Sequence, residues 1–560
     1  MELLDWIVIA IYFAIIGYIA WWSGRNQEST KDYFLAGRNA GWFAIGASMF
    51  TSNIGSEHIV GLAGQGASTG MAMAHWELHA WVMVMLAYVF VPFYYRAGVY
   101  TIPEFLERRF NARARWLLSI VSLVAYVFTK VSVTVYAGAL VFQTLLPDTF
   151  GSPDNAFWVG AFATVILTGI YTVFGGMSAV LYTSAPQAIL LIIGSFFVTY
   201  YGLSQLGGWG ELVSMAKANA DQFALWRPMS DPDFPWLGVL IASPIIGIWY
   251  WCTDQYIVQR ALAARNLTIS RRGALFGGLL KVWPVLIFLV PGMIGWALHE
   301  KGLLDIPLKE LADGTMAING DQVFPTLVAN LLPVGLRGLI VATLLAALMS
   351  SLASLFNSSA SLFTVDIYEK IRPGMSEKHL VFVGRIATTV VVGLGMLWIP
   401  VMKQVSGGGL YQYLQSVQGY LAPPITAVFL LGVFWKRINA NGAVWGLGAG
   451  FVLGMIKLTI QTLFGAGKIE NPAFLAAIGD FSFLYATGIL FLVSIIIVIV
   501  ASMMTPPPSA EQVEGLTYES ISADGKAEIE ASWDKWNKIL ATTVIGLVLG
   551  MYLYFSFWLS

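Results

Sequence analysis

Long apolar runs alternate with short polar segments from one end of the 560-residue chain to the other. A helix needs about 20 predominantly apolar residues to cross the hydrocarbon of a bilayer. The pattern predicts about fourteen such helices, over 4–23, 41–64, 72–97, 115–147, 155–174, 179–206, 236–258, 272–299, 323–368, 380–401, 410–434, 441–464, 479–503 and 537–559. Several exceed the ~20 residues of a straight crossing, so tilt or extramembrane turns accompany them. The longest polar segments are about 207–235, 300–322 and 504–536. The last runs from Pro506-Pro507-Pro508 through acidic text to Trp533 and reads as a flexible linker. The expected division is therefore 1–503, a linker over 504–536 and a final helix in 537–560.

Two spans carry helix-weakening text in mid-membrane. One is Ser52-Asn53-Ile54-Gly55-Ser56-Glu57-His58 in the second; the other is 244–254 in the seventh, with Pro244, Gly247, Trp249-Tyr250-Trp251 and Asp254. They lie five spans apart, which is where a transporter built of five-plus-five inverted repeats places its broken helices. Gly442, Gly446 and Gly450 recur every fourth residue, the small-residue pattern of close helix packing.

Composition agrees with a membrane solvent. The chain is 57% hydrophobic and 11% charged, with a mean hydropathy of +0.70; soluble domains and disordered chains do not combine these values. Net charge is −1, and the placement of basic residues says more than their balance. With the N-terminus outside, 21 of the 31 basic residues fall in inside loops, among them Arg108, Arg109, Arg115, Arg260, Arg271 and Arg272. That bias satisfies the positive-inside rule and puts both termini outside the cytoplasm of an integral plasma (or bacterial inner) membrane protein. Acidic Glu2 and Asp5 precede the first span, so it does not read as a cleavable signal. Cys252 is the single cysteine and allows no intrachain disulfide.

Polar groups at bilayer depth cost several kcal/mol unless they face protein or water, so they mark a path or a site. Unwinding at Gly55 would free carbonyls for a cation, and Asn53 and His58 offer donors and acceptors to a polar solute. A kinked helix with locally satisfied side chains is the plainer alternative. Ser350 and Ser351, with the carbonyl of Ala347, present three oxygens to a small hard cation; a small-residue packing face fits the same text. Glu77 needs an ionic partner in mid-span, and Lys281 is the candidate; together they grip hydroxyls through charge-assisted bonds. Gln415 is either a solute ligand or a helix–helix hydrogen bond. Trp249, Tyr250 and Trp251 are either bundle core or a face on which a sugar ring stacks. His75 and His79 have metal-ligand spacing but no third ligand beside them. No nucleophile elbow, His-Glu-x-x-His or carboxylate cluster points to an enzyme. The glycine-rich text lacks the context of a phosphate loop, and nothing implies a nucleic-acid partner.

These stretches resemble the sodium–solute symporter family, in particular its sodium–glucose (sodium–galactose) cotransporter branch. The matching text is 32–38 (DYFLAGR), 52–61 (SNIGSEHIVG), 100–105 (YTIPEF), 175–180 (GGMSAV), 249–260 (WYWCTDQYIVQR), 350–368 (SSLASLFNSSASLFTVDIY) and 420–437, within a likeness over roughly 1–500. The resemblance implies an all-α polytopic protein with a leucine-transporter-type core of two inverted five-helix repeats, about 41–206 and 236–434. It implies symport of sodium with a neutral hexose. The sodium ligands would be backbone oxygens of Thr51, Ile54 and Ala347 and the hydroxyls of Ser350 and Ser351. The sugar ligands would be Asn53, His58, Glu77, Trp251, Lys281 and Gln415, with Tyr250 capping the inner side. The outer gate would be Leu62, Trp76 and Tyr411.

Several positions depart from the family pattern. Thr51 stands where alanine is usual, Gly247 replaces a polar residue, and Ser184 stands where many members have aspartate, next to Pro186. Ala353 replaces a threonine that resembles part of a second sodium site, so one sodium per sugar is expected. Inositol, sialic acid or an amino acid as the solute, or a sensor or leak channel on the same fold, are the alternatives.

Overall fold

The computed structural model describes residues 1–25, 27–55, 57–147, 149–310, 314–405, 410–465 and 472–560. Eleven stretches among the described residues are long and apolar enough to cross a membrane. Two of them are double. His58–Ala97 is divided at Gly70 (φ +61), and the 54-residue Pro153–Leu206 at Gly176 (φ +52). At 1.5 Å per residue the latter would be about 80 Å long, far beyond one hydrocarbon thickness. Gly176 cannot carry a side chain, because φ is left-handed and a Cβ would overlap the Tyr33 carbonyl. Counting each double stretch as two and adding Ala112–Ala125 through Ser132–Leu145 as the fourth span, the described residues supply fourteen helical segments, in line with the apolar pattern. The architecture is an all-α membrane bundle, as the apolar pattern predicts.

Both expected breaks are present. The second span stops at Asn53 and resumes at Glu57–Leu62 and Ala63–Thr69. The seventh runs through Trp236–Ile248 and Trp249–Thr253, breaks at Asp254 (φ −86, ψ 124) and continues as Gln255–Leu262. Asp254 caps the new helix by accepting from the Tyr256 amide, so the break is satisfied locally. Glycines set the close crossings. A Cβ at Gly46 would press on Gly273 and Gly277 of the eighth span, Leu267–Lys281 and beyond. One at Gly442 or Gly446 would overlap Ser502 or Val498, and one at Gly450 would sit 2.5 Å from Pro424.

Four features differ from expectation. The expected ninth span of 323–368 is two helices, Val323–Leu331 and Leu336–Ser361, separated at Pro333 and at Gly335 (φ +87). A small antiparallel hairpin pairs Leu308–Glu310 with Met316–Ile318 in the loop before them. Residues 504–536 do not hang free. They hold the short helices Ala510–Val513 and Ala523–Ala531 and pin to the bundle through Arg271 to the Ile529 carbonyl (2.7 Å), Arg96 to Glu528 (3.2 Å) and the Arg272–Asp534 pair. Finally, Arg109, Arg115, Arg260 and Arg271, counted above as inside-loop residues, are buried. Each finds internal partners: Arg109 donates to the carbonyls of Gly432 (2.8 Å) and Ile438 (2.9 Å), Arg115 to the Asp366 carboxylate (2.6 Å), Arg260 to the hydroxyls of Ser48 (3.0 Å) and Ser52 (2.7 Å), and Arg271 to the Ile529 carbonyl (2.7 Å).

Candidate functional site

The second-span break changes where backbone donors go. The Gly55 N–H donates to Asn53 O (2.9 Å) and the His58 N–H to Gly55 O (3.2 Å). In a continuous helix those two donors would serve the carbonyls of Thr51 and Ile54. These carbonyls are thus spared that role, beside the serines of the ninth span.

At that seam Ser351 donates to Thr51 O (3.4 Å) and Ser52 O (3.0 Å), and Ser350 to Thr51 Oγ1 (3.3 Å). Ser184 Oγ lies 3.2 Å from Ser350 Oγ and donates to Val180 O (2.5 Å). Ile54 and Ala347 are buried, the latter one turn before Ser351 on the same helix. The result is a buried, oxygen-rich joint of hydroxyls and carbonyls, with no carboxylate among the described residues that form it, suited to one small monovalent cation. Ser184, where an acid was usual, adds a hydroxyl and no charge.

A small cavity lies on the other side of the break, lined by Asn53, His58, Trp76, Glu77, Tyr250, Trp251, Lys281 and Gln415 among others. Every solute ligand expected from the sequence is therefore in one place. Lys281 Nζ donates to Glu77 Oε2 (2.5 Å), and His58 Nε2 lies 3.2 Å from Glu77 Oε1. Both members of the ion pair are nearly inaccessible, at 3% and 1% side-chain exposure, so each depends on the other for its charge. The Lys281 ammonium also lies 5.6 Å from the Trp251 ring centroid. Asn53 Nδ2 donates to the Tyr250 hydroxyl (3.2 Å).

Three buried polar atoms around this cavity have no hydrogen-bond partner among the described residues: Asn53 Oδ1, Gln415 Oε1 and Trp76 Nε1. Buried polar groups are normally paired, and leaving one unpaired costs ~1–3 kcal/mol. Two acceptors and one donor left open beside an ion pair and aromatic faces suit a neutral molecule rich in hydroxyls. The space open to centres of water-sized molecules is about 40 Å³, room for about three waters and less than a hexose ring occupies. The cavity is contracted, and a solute of that size must widen it.

Of the expected gates, Leu62 is fully buried in Glu57–Leu62, and Trp76 meets Phe234 edge-on at 6.3 Å. The side chain of Tyr411 lies outside the described residues. Beyond Gly61 and Gly64 a much larger vestibule, about 1,170 Å³, is bordered by the hairpin and by Asp231, Lys309 and Asp321. Burial pushes the Asp321 carboxyl above its usual range, against the pull of Lys309.

The sequence reading missed four cavity residues: Ile246, Leu414, Gln418 and His79. Gln418 is one turn after Gln415, so helical spacing pointed to it. His79 owes its place to Gly247: a Cβ there would come within 3.0 Å of the imidazole. The polar group lost from the seventh span is in effect replaced from the third, with His79 Nε2 2.6 Å from Ser243 Oγ. His75 instead makes contacts of 3.1 Å with the Tyr552 hydroxyl and the Leu225 carbonyl.

Residues 33–450 match the Sodium:solute symporter family. The sequence is 38% identical to sodium/glucose cotransporter 4 of Danio rerio over 96% of this chain and 84% of the relative. It is 40% identical to sodium/glucose cotransporter 1 of Oryctolagus cuniculus (87% and 77%), and 38% identical to the sodium/myo-inositol cotransporter of Canis lupus familiaris (92% and 76%). Among solved structures, a Na+-coupled sialic acid symporter in a substrate-bound outward-open state superposes with a TM-score of 0.73 at 22% identity, covering 90% of this chain and 99% of that one. A nucleobase-cation-symport-1 family transporter in a closed conformation gives 0.53 at 16% identity (88% and 99%). At those identities the two structures speak for the fold, the leucine-transporter type with its two inverted five-helix repeats.

Proposed function

The chain belongs to the sodium:solute symporter family and is a sodium-coupled membrane symporter; on that premise we propose that its solute is a neutral hexose of the glucose or galactose kind. The observation that carries this is the cavity of Glu77–Lys281, the open polar atoms of Asn53, Gln415 and Trp76, and the Trp251 and Tyr250 rings. The internal ion pair leaves the site with no net charge of its own, so it offers charge-assisted bonds to hydroxyls without calling for an ionic solute. Tyr250 bounds the cavity on one side and Trp76, with Leu62 buried beyond it, serves as the gate on the other.

Sodium occupies the joint formed by Thr51, Ile54, Ala347, Ser350 and Ser351. It ties the broken second span to the ninth and holds Asn53, at the edge of that joint, where the sugar needs it. Coupling follows because sodium and sugar both favour the same arrangement of the break. With Ala353 beside this joint, one sodium moves per sugar. One charge through about 100 mV contributes ~2.3 kcal/mol, and a tenfold sodium gradient ~1.4 kcal/mol. Together, about 3.7 kcal/mol sustains a sugar gradient of roughly 500-fold. The basic-residue bias supports a topology with both termini outside the cytoplasm, in a plasma or bacterial inner membrane.

A second reading is a cyclic polyol such as inositol, favoured by the similarity to cotransporters named for myo-inositol. Carboxylate solutes fit less well, because Glu77 would face them. Competition against labelled glucose in sodium-energised vesicles separates the classes. Galactose should compete and sialate or leucine should not; strong competition by inositol with none by galactose would replace the hexose assignment.

A further inference from the structure

One buried cation has no place in either site. Lys130, in the middle of the fourth span, is 7% exposed and pairs with Asp254 at the seventh-span break (Nζ to Oδ2 2.5 Å). Its ammonium also faces four aromatic rings, with centroids at 4.6 Å (Tyr256), 4.8 Å (Tyr250), 5.0 Å (Trp249) and 5.1 Å (Tyr126). Three of these rings belong to the seventh span, on both sides of its break. An ammonium held by one carboxylate needs no such cage for neutrality, so the rings are organised around it. Tyr126 completes the enclosure by donating to the other Asp254 oxygen, while its hydroxyl accepts from the Tyr256 amide (3.1 Å).

Two of the caged rings lead to the two ligand sites. Tyr250, the floor of the solute cavity, accepts from Asn53 (3.2 Å). Tyr256 donates through its hydroxyl to the Ser52 carbonyl, the same oxygen that accepts from Ser351 (3.0 Å). A continuous set of contacts thus runs from the sodium joint through Ser52, Tyr256 and Lys130 to Tyr250 and the cavity. The Ser52 carbonyl is thus in direct contact with Tyr256, and Tyr256 and Tyr250 share one ammonium.

Resting on the functional reading above, we propose that Lys130, with Asp254, is a positioning residue that couples the two sites. It fixes Tyr250 as the floor of the cavity only while Tyr256 holds the Ser52 carbonyl in the sodium-bound arrangement. The pair touches neither ligand. Its role is to make sugar affinity depend on sodium, and reciprocally sodium affinity on sugar by the same factor.

The test is binding of labelled glucose to purified protein, with saturating sodium and with choline in its place. The ratio of the two affinities is the readout, because a merely structural role lowers both and leaves their ratio alone. Three variants are compared with the unaltered protein. Lys130→Met/Asp254→Asn removes both charges together, so that neither is stranded in the membrane interior. Tyr256→Phe cuts the link to Ser52 with the ion pair intact, and decides the matter if the double variant does not fold. Lys130→Arg keeps the charge and the cage. The unaltered protein and Lys130→Arg should show sodium tightening sugar binding, on the order of 5–150-fold as typical couplings run. In the other two variants the ratio should fall to within about twofold of unity, where coupling is lost. An unchanged ratio in both would overturn the coupling role alone. A ratio near one in the unaltered protein would overturn the functional reading, and the coupling role with it.

Discussion

Gln415 offers a test in which affinity and stability move in opposite directions. Its Oε1 is buried at the cavity wall without a partner among the described residues, on a side chain that is 7% exposed. An acceptor left in that condition costs ~1–3 kcal/mol, and a sugar hydroxyl that pairs with it removes the cost. Gln415→Met keeps the length and approximate volume and takes the acceptor away. The sugar-free protein is relieved of an unpaired group; the sugar-bound protein loses a hydrogen bond and gains an unpaired hydroxyl. Affinity should therefore fall by ~1.4–3 kcal/mol, or roughly 10–150-fold. Thermal unfolding of the sugar-free variant should occur at the same temperature as the unaltered protein or higher, and the shift produced by added glucose should shrink. Equilibrium binding of labelled glucose and thermal unfolding with and without sugar measure the two sides. A variant that unfolds earlier without sugar yet binds glucose within about twofold of normal (under ~0.5 kcal/mol) would mean that Gln415 is a helix–helix hydrogen bond, and the cavity would not be the solute site.

Three further outcomes follow from the same geometry. Ser351→Ala removes one proposed sodium ligand, and a hydrogen-bonding group facing an ion contributes ~1.5–3 kcal/mol, so the half-saturating sodium for sugar uptake should rise at least about tenfold; an unchanged sodium dependence would discard this joint as the cation site. Glu77→Gln strands the Lys281 ammonium and should lower stability by ~3–5 kcal/mol, whereas Glu77→Gln/Lys281→Met should recover much of the yield without recovering glucose binding; recovered binding would remove the pair from the sugar ligands. Because burial raises the Asp321 carboxyl, the folded protein holds that proton more tightly than the unfolded chain, and stability falls as pH rises from about 4 through the raised value. Asp321→Asn should flatten that slope and raise the unfolding temperature at pH 7; the same slope in the variant would assign it to another group.

The spans and both breaks were legible because lipid imposes a strong rule on sequence. Apolar runs must be long, and anything polar inside them needs a reason. Gly55 and Asp254 broke helices where that rule placed them. The split of 323–368 at Pro333 and Gly335 was also written in helix-breaking residues, but inside a run apolar enough to hide it. At the site, each polar side chain could be named singly, yet its partner could not. Glu77 with Lys281 was a correct pairing of lone opposite charges. Lys130 with Asp254 went unpaired because Asp254 already had a local reason to be there, as helix-breaking text, and the fifth and sixth spans lie between the two residues. His79 was obscured by its spacing from His75, and its actual position depends on the missing side chain of Gly247. The arginines at 109, 115, 260 and 271 show the limit of charge counting: residue type marks them as basic, and only packing reveals that carbonyls, hydroxyls and a carboxylate hold them in the interior.

Uptake of labelled glucose by liposomes containing only this protein tests the central claim most directly. A sodium gradient imposed with the interior negative should concentrate sugar above its external level, and replacing sodium by potassium or by a proton gradient should abolish accumulation. Accumulation that proceeds equally without sodium, or equilibration that never exceeds the external concentration when sodium is present, would contradict it.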